Sequence, residues 1–203
     1  MNRVTAHDWK LLMLAGFLVS LLAWPGTSEA QTVTGQASAV QATVFNALGL
    51  RTTTTLSKTA PLSGTRDARQ ASLITGSVAS LLKGEALHAV TIGWPDQVAS
   101  EASLGSFVMT VAGTGISADF VMARALSVLG RSGTGRTNID GLSINGIRIV
   151  PTGSPNQTIA IRGGRVVINE QVSSAGALVV NALHVVVDGV ADVVIASAKS
   201  GIF

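Results

Sequence analysis

The chain has 203 residues, with 14 Lys+Arg against 11 Asp+Glu, 47% hydrophobic side chains and no cysteine. No disulfide can form, so packing and backbone pairing alone must hold the fold. The arginines are scattered, and beyond residue 30 there are one Trp, four Phe and no Tyr. The stacking platforms and basic stripe that nucleic acid requires are missing, and nucleic-acid binding is set aside.

The chain opens like an export signal. Arg3 and Lys10 precede an uninterrupted apolar run of 14 residues, Leu11 to Trp24. Pro25 then breaks the helix, and Ser28 and Ala30 supply the small residues of a cleavage site. The run is short of the roughly 20 residues a spanning helix needs, which argues against an uncleaved membrane anchor. A signal helix over 1–30, removed after Ala30, is therefore predicted. It carries Arg3, Lys10, Asp8 and Glu29, so its loss leaves the net charge at +3. No second long apolar run follows, so no membrane span is expected after cleavage. Export is implied, with the periplasm and the extracellular space both open as destinations.

Residues 31–203 are one domain's worth of chain, long enough to bury a core. Their richness in Val, Ala, Ser, Thr, Gly and Ile favours strands and tight turns. In chain order, TVTGQASAVQATVF (32–45) reads as a strand. Residues 50–68 read as a loop, with Thr52–Thr55 as an exposed edge strand or loop. Ser77 to Leu82 allows a helix. ALHAVTIGW (86–94) reads as a strand, and 97–129 as strands broken at glycines, including Gly113-Thr114-Gly115. Gly130 to Arg136 reads as a loop, and the phosphate-loop-like GTGRTNIDG around it lacks GK[ST]. No fixed-period repeat occurs.

Three hairpins follow. Asn145-Gly146 tolerates positive φ at both central turn positions. A two-residue loop there sets Ile144 opposite Ile147, Ser143 opposite Arg148 and Leu142 opposite Ile149. A second turn at Gly163-Gly164 sets Ile161 opposite Val166, Ile159 opposite Ile168 and Glu170 opposite Gln157. Arg162 and Arg165 then oppose each other across it. A third ribbon turns around Asp188-Gly189, and its second strand, Val190 to Ala198, is apolar enough to be central in a sheet. Short strands joined by glycine turns predict an all-β fold: an antiparallel β-sandwich or a barrel-like form after the N-terminal signal helix.

Two polar clusters interrupt the apolar strands. Asn169, Glu170 and Gln171 end one, and Asn181 and His184 lie inside the next. In a regular strand Asn181 and His184 point to opposite faces. The favoured reading is hydrogen-bonded trim, with Asn169–Gln171 pinning the following segment, 172–176. The rival reading is a ligand-facing patch of Asn169, Glu170, Asn181 and His184. A metal site of His88, His184 and a carboxylate lacks any HxH or HExxH spacing. A Ser-His-Asp set can be assembled from Ser173 or Ser174 with His184 and Asp188, but no GxSxG elbow supports it, and a hydrolase is disfavoured. No catalytic residue, metal ligand or cofactor is expected.

Several stretches carry a family likeness. They are DGLSINGIRI (Asp140 to Ile149), VVINEQ (Val166 to Gln171), VNALHV (Val180 to Val185) and DVVIASAKSGI (Asp192 to Ile202). Upstream, ISADFVMARALS (Ile116 to Ser127) joins them. In order and spacing they resemble the bacterial choice-of-anchor P family, over roughly 32–203 and most strongly from 137 onward. Members are exported proteins that share this domain and differ in their C-terminal surface anchors, with no common activity. The resemblance implies an extracellular or surface-associated domain. This sequence departs from the family in ending at Phe203 directly after the domain and in lacking cysteines near the ARA strand and at its end. The expectation is an exported, non-enzymatic structural or interaction domain, cell-surface or matrix associated. Its partner would be a protein, a polysaccharide or another copy. The alternative is a small-ligand or saccharide module using residues 169–184.

Overall fold

The computed structural model describes residues 31–46 and 48–203; the predicted signal helix over 1–30 lies outside them. The described residues form thirteen antiparallel strands and no helix. In chain order they are β1 (Val33–Phe45), β2 (Arg51–Lys58), β3 (Ala68–Val78), β4 (Leu82–Gly93), β5 (Gln97–Val111), β6 (Thr114–Val128) and β7 (Thr134–Asp140). There follow β8 (Ser143–Ile144), β9 (Ile147–Arg148), β10 (Gln157–Ile161), β11 (Gly164–Ser174), β12 (Ala177–Val187) and β13 (Ala191–Ile202). One sheet has the order β10-β11-β12-β13-β1-β2. The other has β3-β4-β5-β6-β8-β9, with β7 pairing β6 beside β8. The two sheets pack face to face as a sandwich around one main core.

Nearly every strand pairs with its neighbour in sequence. The exceptions are β6 with β8, which steps over β7, and β1 with β13, where the chain closes on itself from Val33↔Ile202 to Val44↔Ala191. Small side chains such as Ala39, Ala102, Ala123 and Ala198 fill much of the interior. Buried hydroxyls cross between the layers. Ser100 Oγ donates to the Lys199 carbonyl at 2.6 Å and lies 2.7 Å from Thr91 Oγ1, and Ser127 Oγ lies 2.9 Å from Ser200 Oγ. A buried hydroxyl without a partner costs free energy, so these bonds fix how the layers sit on each other.

The hairpin at Asn145-Gly146 forms as expected, with Ile144↔Ile147, Ser143↔Arg148 and a bond from Ile149 N to Leu142 O. The second hairpin differs by two residues. Its turn is Arg162-Gly163, pairing Ile161 with Gly164, Ile159 with Val166 and Gln157 with Ile168. Gly163 takes the positive φ, +70°, and Asp188 N bonds its carbonyl. A two-residue shift preserves the faces, so Ile159, Ile161, Val166 and Ile168 still share one side. Arg162 sits in the turn and Arg165 opposes Ala160, which removes the expected like-charge pair. The third turn spans Asp188 to Val190, and β13 is central, between β12 and β1.

Three local expectations change in whole or in part. Ser77 to Leu82 is the β3–β4 turn, not a helix, because Val78 and Leu82 are both buried strand ends that pair with each other. Residues 51–58 form edge strand β2, which takes the edge-strand alternative for Thr52–Thr55 and replaces the loop expected around it, held by Thr52–Thr55 pairing with Val44–Gln41. Thr134 to Asp140 is strand β7, drawn onto β6 by pairing that its polar sequence conceals.

One feature of the strands is not periodic. In the first sheet, successive residues both turn inward on several strands: Ile195-Ala196 on β13, Ala182-Leu183 on β12 and Ala39-Val40 on β1, all buried. The residues Asn169, Ala182, Ala196, Ala39 and Ser57 form a row across five strands, each skipped in the pairing while the register on either side is kept. On alternate strands they take a left-handed φ: Asn169 +53°, Ala196 +52° and Ser57 +48°. The second sheet has a matching row in which paired residues turn outward, at Glu85-Ala86, Gly105-Ser106 and Asp119-Phe120, with Ala86 at +48° and Ser106 at +45°. Left-handed backbone is costly for any residue with a β-carbon, and most of all for a branched one. Replacing fully buried Ala196 by Val is expected to cost about 2–3 kcal/mol. Ala196→Gly, which relieves the backbone and removes one methyl, is expected to stay within about 1 kcal/mol of the parent. Urea unfolding of both variants checks this.

Candidate functional site

The row of left-handed residues decides where the polar side chains go. A regular β12 would place Asn181 and His184 on opposite faces. Because Ala182 and Leu183 both turn into the core, Asn181 and His184 emerge together on the outer face of the first sheet. Glu170, paired with Asn181 across the β11–β12 ladder, emerges beside them. The expectation of opposite faces is thus corrected by a local switch in side-chain alternation.

There the side chains close into a network. Asn181 Nδ2 donates to Glu170 Oε2 at 2.6 Å. His184 Nδ1 lies 2.9 Å from Glu170 Oε2 and 3.0 Å from Oε1. On the other side of the ring, His184 Nε2 lies 2.9 Å from Asp192 Oδ1 on β13. Ionised carboxylates only accept, so both contacts are hydrogen bonds when the imidazole carries both protons. The ring thus bridges β11, β12 and β13. Burial opposes ionisation of Glu170, but the bonds from His184 and Asn181 and the charges of His184 and Arg165 outweigh it. They hold the carboxyl below its ordinary range. The Glu170 bond also fixes the amide of Asn181, because a flip would aim its oxygen at the carboxylate; Asn181 Oδ1 stays buried without a hydrogen-bond partner.

Asn169 does not join this group. Its Nδ2 donates to Gly153 O at 3.1 Å, and its Oδ1 accepts from Gln171 Nε2 at 2.9 Å. The loop before β10 answers in kind: Asn156 N bonds Asn169 O, and Asn156 Oδ1 accepts from Gln171 N at 3.0 Å. Asn169 and Gln171 therefore hold the preceding loop to the free end of β11, not the segment 172–176. The physical reason is that β10 is short and leaves the backbone of Asn169–Gln171 without a ladder partner on that side of β11.

Three of the four candidates thus meet, and two features were missed. Asp192 takes the place imagined for Asp188, which lies exposed in the turn. The signal for Asp192 was the β12–β13 register, which brings it one diagonal step from His184. The second is a contact between Ser72 Oγ and His88 Nδ1, 2.9 Å, on the exposed face of β3 and β4. A serine beside an imidazole is the start of a nucleophile pair, but no described carboxylate orients the other ring nitrogen of His88, which a triad requires. No described hydroxyl bonds His184. Among the described residues no group of three or more His, Cys, Asp or Glu could hold a metal ion. Nor is any helix there long and apolar enough to cross a membrane. The Glu170–His184 network lies on the outer face of the first sheet, with the side chains of His184 and Glu170 18% and 20% exposed.

No family model matches the chain, and no curated protein or solved structure matches it either.

A carboxylate whose ionised form is favoured in the fold binds protons less readily folded than unfolded. Its contribution to stability is full above the ordinary carboxylate range and lost as pH falls through the lower folded value. Parent stability is therefore expected to fall below about pH 4.5 more steeply than that of Glu170→Gln. At neutral pH that variant is expected to be less stable by about 2 kcal/mol, as for loss of a charged hydrogen bond. Asp67, also held below its ordinary range by bonds from Ser63 and Arg69, is common to both proteins and cancels in the comparison. Urea midpoints between pH 3 and 7 measure the difference.

Proposed function

We propose that this chain is an exported, non-enzymatic structural or interaction domain, presented at the cell surface or in an extracellular matrix. The observation that carries the reading is the closed network of Glu170, Asn181, His184 and Asp192. Both ring nitrogens are engaged, so the most elaborate polar cluster of the described residues offers no free base to activate a nucleophile. Its visible work is to join three strands. The export-signal pattern at the N-terminus and the resemblance to the choice-of-anchor P family support the same reading. With no cysteine to oxidise, the fold holds its shape independently of the redox state outside the cytoplasm.

A second reading rests on a separate observation: Glu170, Asn181 and His184 share the outer face of the first sheet, as a small-ligand or saccharide module would require. That face offers hydrogen-bond partners and no aromatic platform for a sugar ring.

Expression of the full chain in a bacterium, followed by cell fractionation and N-terminal mass spectrometry, tests the first reading. A chain beginning at Gln31 outside the cytoplasm is expected. An intact chain beginning at Met1 in the cytosol would sink it. Saccharide binding lost in Glu170→Gln but kept in Ile147→Ala would favour the second.

A further inference from the structure

Strand β3 ends the second sheet: it pairs with β4, and no described strand lies on its other side. Sheet edges invite pairing, and stable proteins blunt them by shortness, charge, proline or cover. The other ends of these sheets are blunted. Strand β9 has two residues, and β10 has five and follows Pro151 and Pro155. Strand β2 carries Arg51 and Lys58 at its ends, and the chain beyond it bonds back to β1 through Thr59 N and Leu62 N.

Beyond Arg69 near its start, strand β3 has none of these devices. It runs for 11 residues, and from Gln70 to Leu82 the sequence holds neither a charge nor a proline. Its centre exposes two apolar side chains, Leu73 at 41% and Ile74 at 88%. Hollows follow the same hairpin. One lies between Leu73-Ile74 and Ala86-Leu87; the next shares Thr75 and Glu85 with it; a third shares Ser77 and Lys83 with the second and ends at exposed Val108. Ser57 Oγ on β2 donates to the Ala71 carbonyl at 2.8 Å, so the edge is engaged there and free from Ser72 onward.

We infer that the free edge of β3, Ser72 to Ser77, docks the same segment of a second copy of this chain as an antiparallel strand about a two-fold axis. The inference rests on the interaction-domain reading and names its surface. Pairing about the midpoint of this stretch sets Ile74 opposite Thr75 of the second copy and Ser72 opposite its Ser77. No like charges are opposed, and each exposed Ile74 is covered near the axis. A heterologous partner would have to supply its own neutral, extended segment; the chain already carries one of matching length. Backbone bonds along the edge give the affinity, and the hollow beside Ile74 receives side chains. Six residues a side is a small interface, so the dimer is weak, with a dissociation constant on the order of micromolar or above.

Sedimentation velocity over a concentration series tests this with three proteins: the parent, Ile74→Lys and Ile147→Lys. Both positions are exposed, so both variants should keep the parent's circular dichroism. The expected result is a concentration-dependent dimer in the parent and in Ile147→Lys, with association weakened at least tenfold in Ile74→Lys. Since the chain has no cysteine, Ile74→Cys is also expected to give a disulfide-linked dimer on mild oxidation. A parent that stays monomeric to millimolar concentration overturns the inference. So does a dimer indifferent to Ile74→Lys, which leaves the interaction-domain reading standing with a different surface. The fractionation experiment does not depend on either outcome, so the two readings fail separately.

Discussion

Side chains on a strand alternate between faces with a period of two, and the long strands of this sandwich cannot keep that period from end to end. At one row across each sheet the alternation is reset. In the first sheet the reset turns an extra residue inward, and in the second it turns one outward. The backbone accepts left-handed angles at Asn169, Ala196 and Ser57, and at Ala86 and Ser106, because the ladder on both sides of the row holds them. Alanine, serine and asparagine stand where a branched residue would be excluded. The inner surface of the first sheet depends on this reset, since Ile195, Leu183 and Val40 reach the core on one side of the row and Ala198, Val180 and Ala37 on the other.

The same reset creates the polar network. Without it Asn181 would face the core and His184 the solvent, and Glu170 would lose one of them. The network is a by-product of a packing solution in this sense, and its chemistry reflects that. The imidazole is saturated by carboxylates on neighbouring strands, and the amide is steered by one of them. What results is a three-strand tie that acid is expected to loosen. Between the layers, the tie is complemented by the hydroxyl bonds of Ser100, Ser127 and Ser200, which give the interior polar fixed points among many small side chains.

Much of the fold was legible in the sequence. Asn145-Gly146 with matched flanks gave its hairpin residue by residue, because the turn chemistry and the apolar pattern agree. The hairpin at Arg162-Gly163 was legible in its faces and not in its register. Two adjacent glycines permit either turn, and period-two reasoning does not distinguish a shift of two. Strand β7 was hidden because Thr134–Asp140 is polar and earns its strand from pairing with β6, a long-range effect. The candidate site was legible in its members Glu170, Asn181 and His184 and misread in its geometry. The Ala182-Leu183 pair was the available sign: two adjacent residues suited to the core inside a strand break the alternation, and everything beyond them changes face.

The pairing of β1 with β13 bears on how the molecule is made. A chain leaves the ribosome N-terminus first, so β1 and β2 exist long before the strand that belongs beside them. The second sheet, β3 to β9, pairs only strands close in sequence and can assemble in the order of its synthesis. The first sheet cannot, because its central seam joins the earliest strand to the last, Val33 to Ile202. A nascent chain stopped short of residue 191 leaves β1 with one open flank and β12 with another. Completion of the sandwich is therefore tied to the synthesis of β13, and the seam closes only once residues 191–202 have arrived.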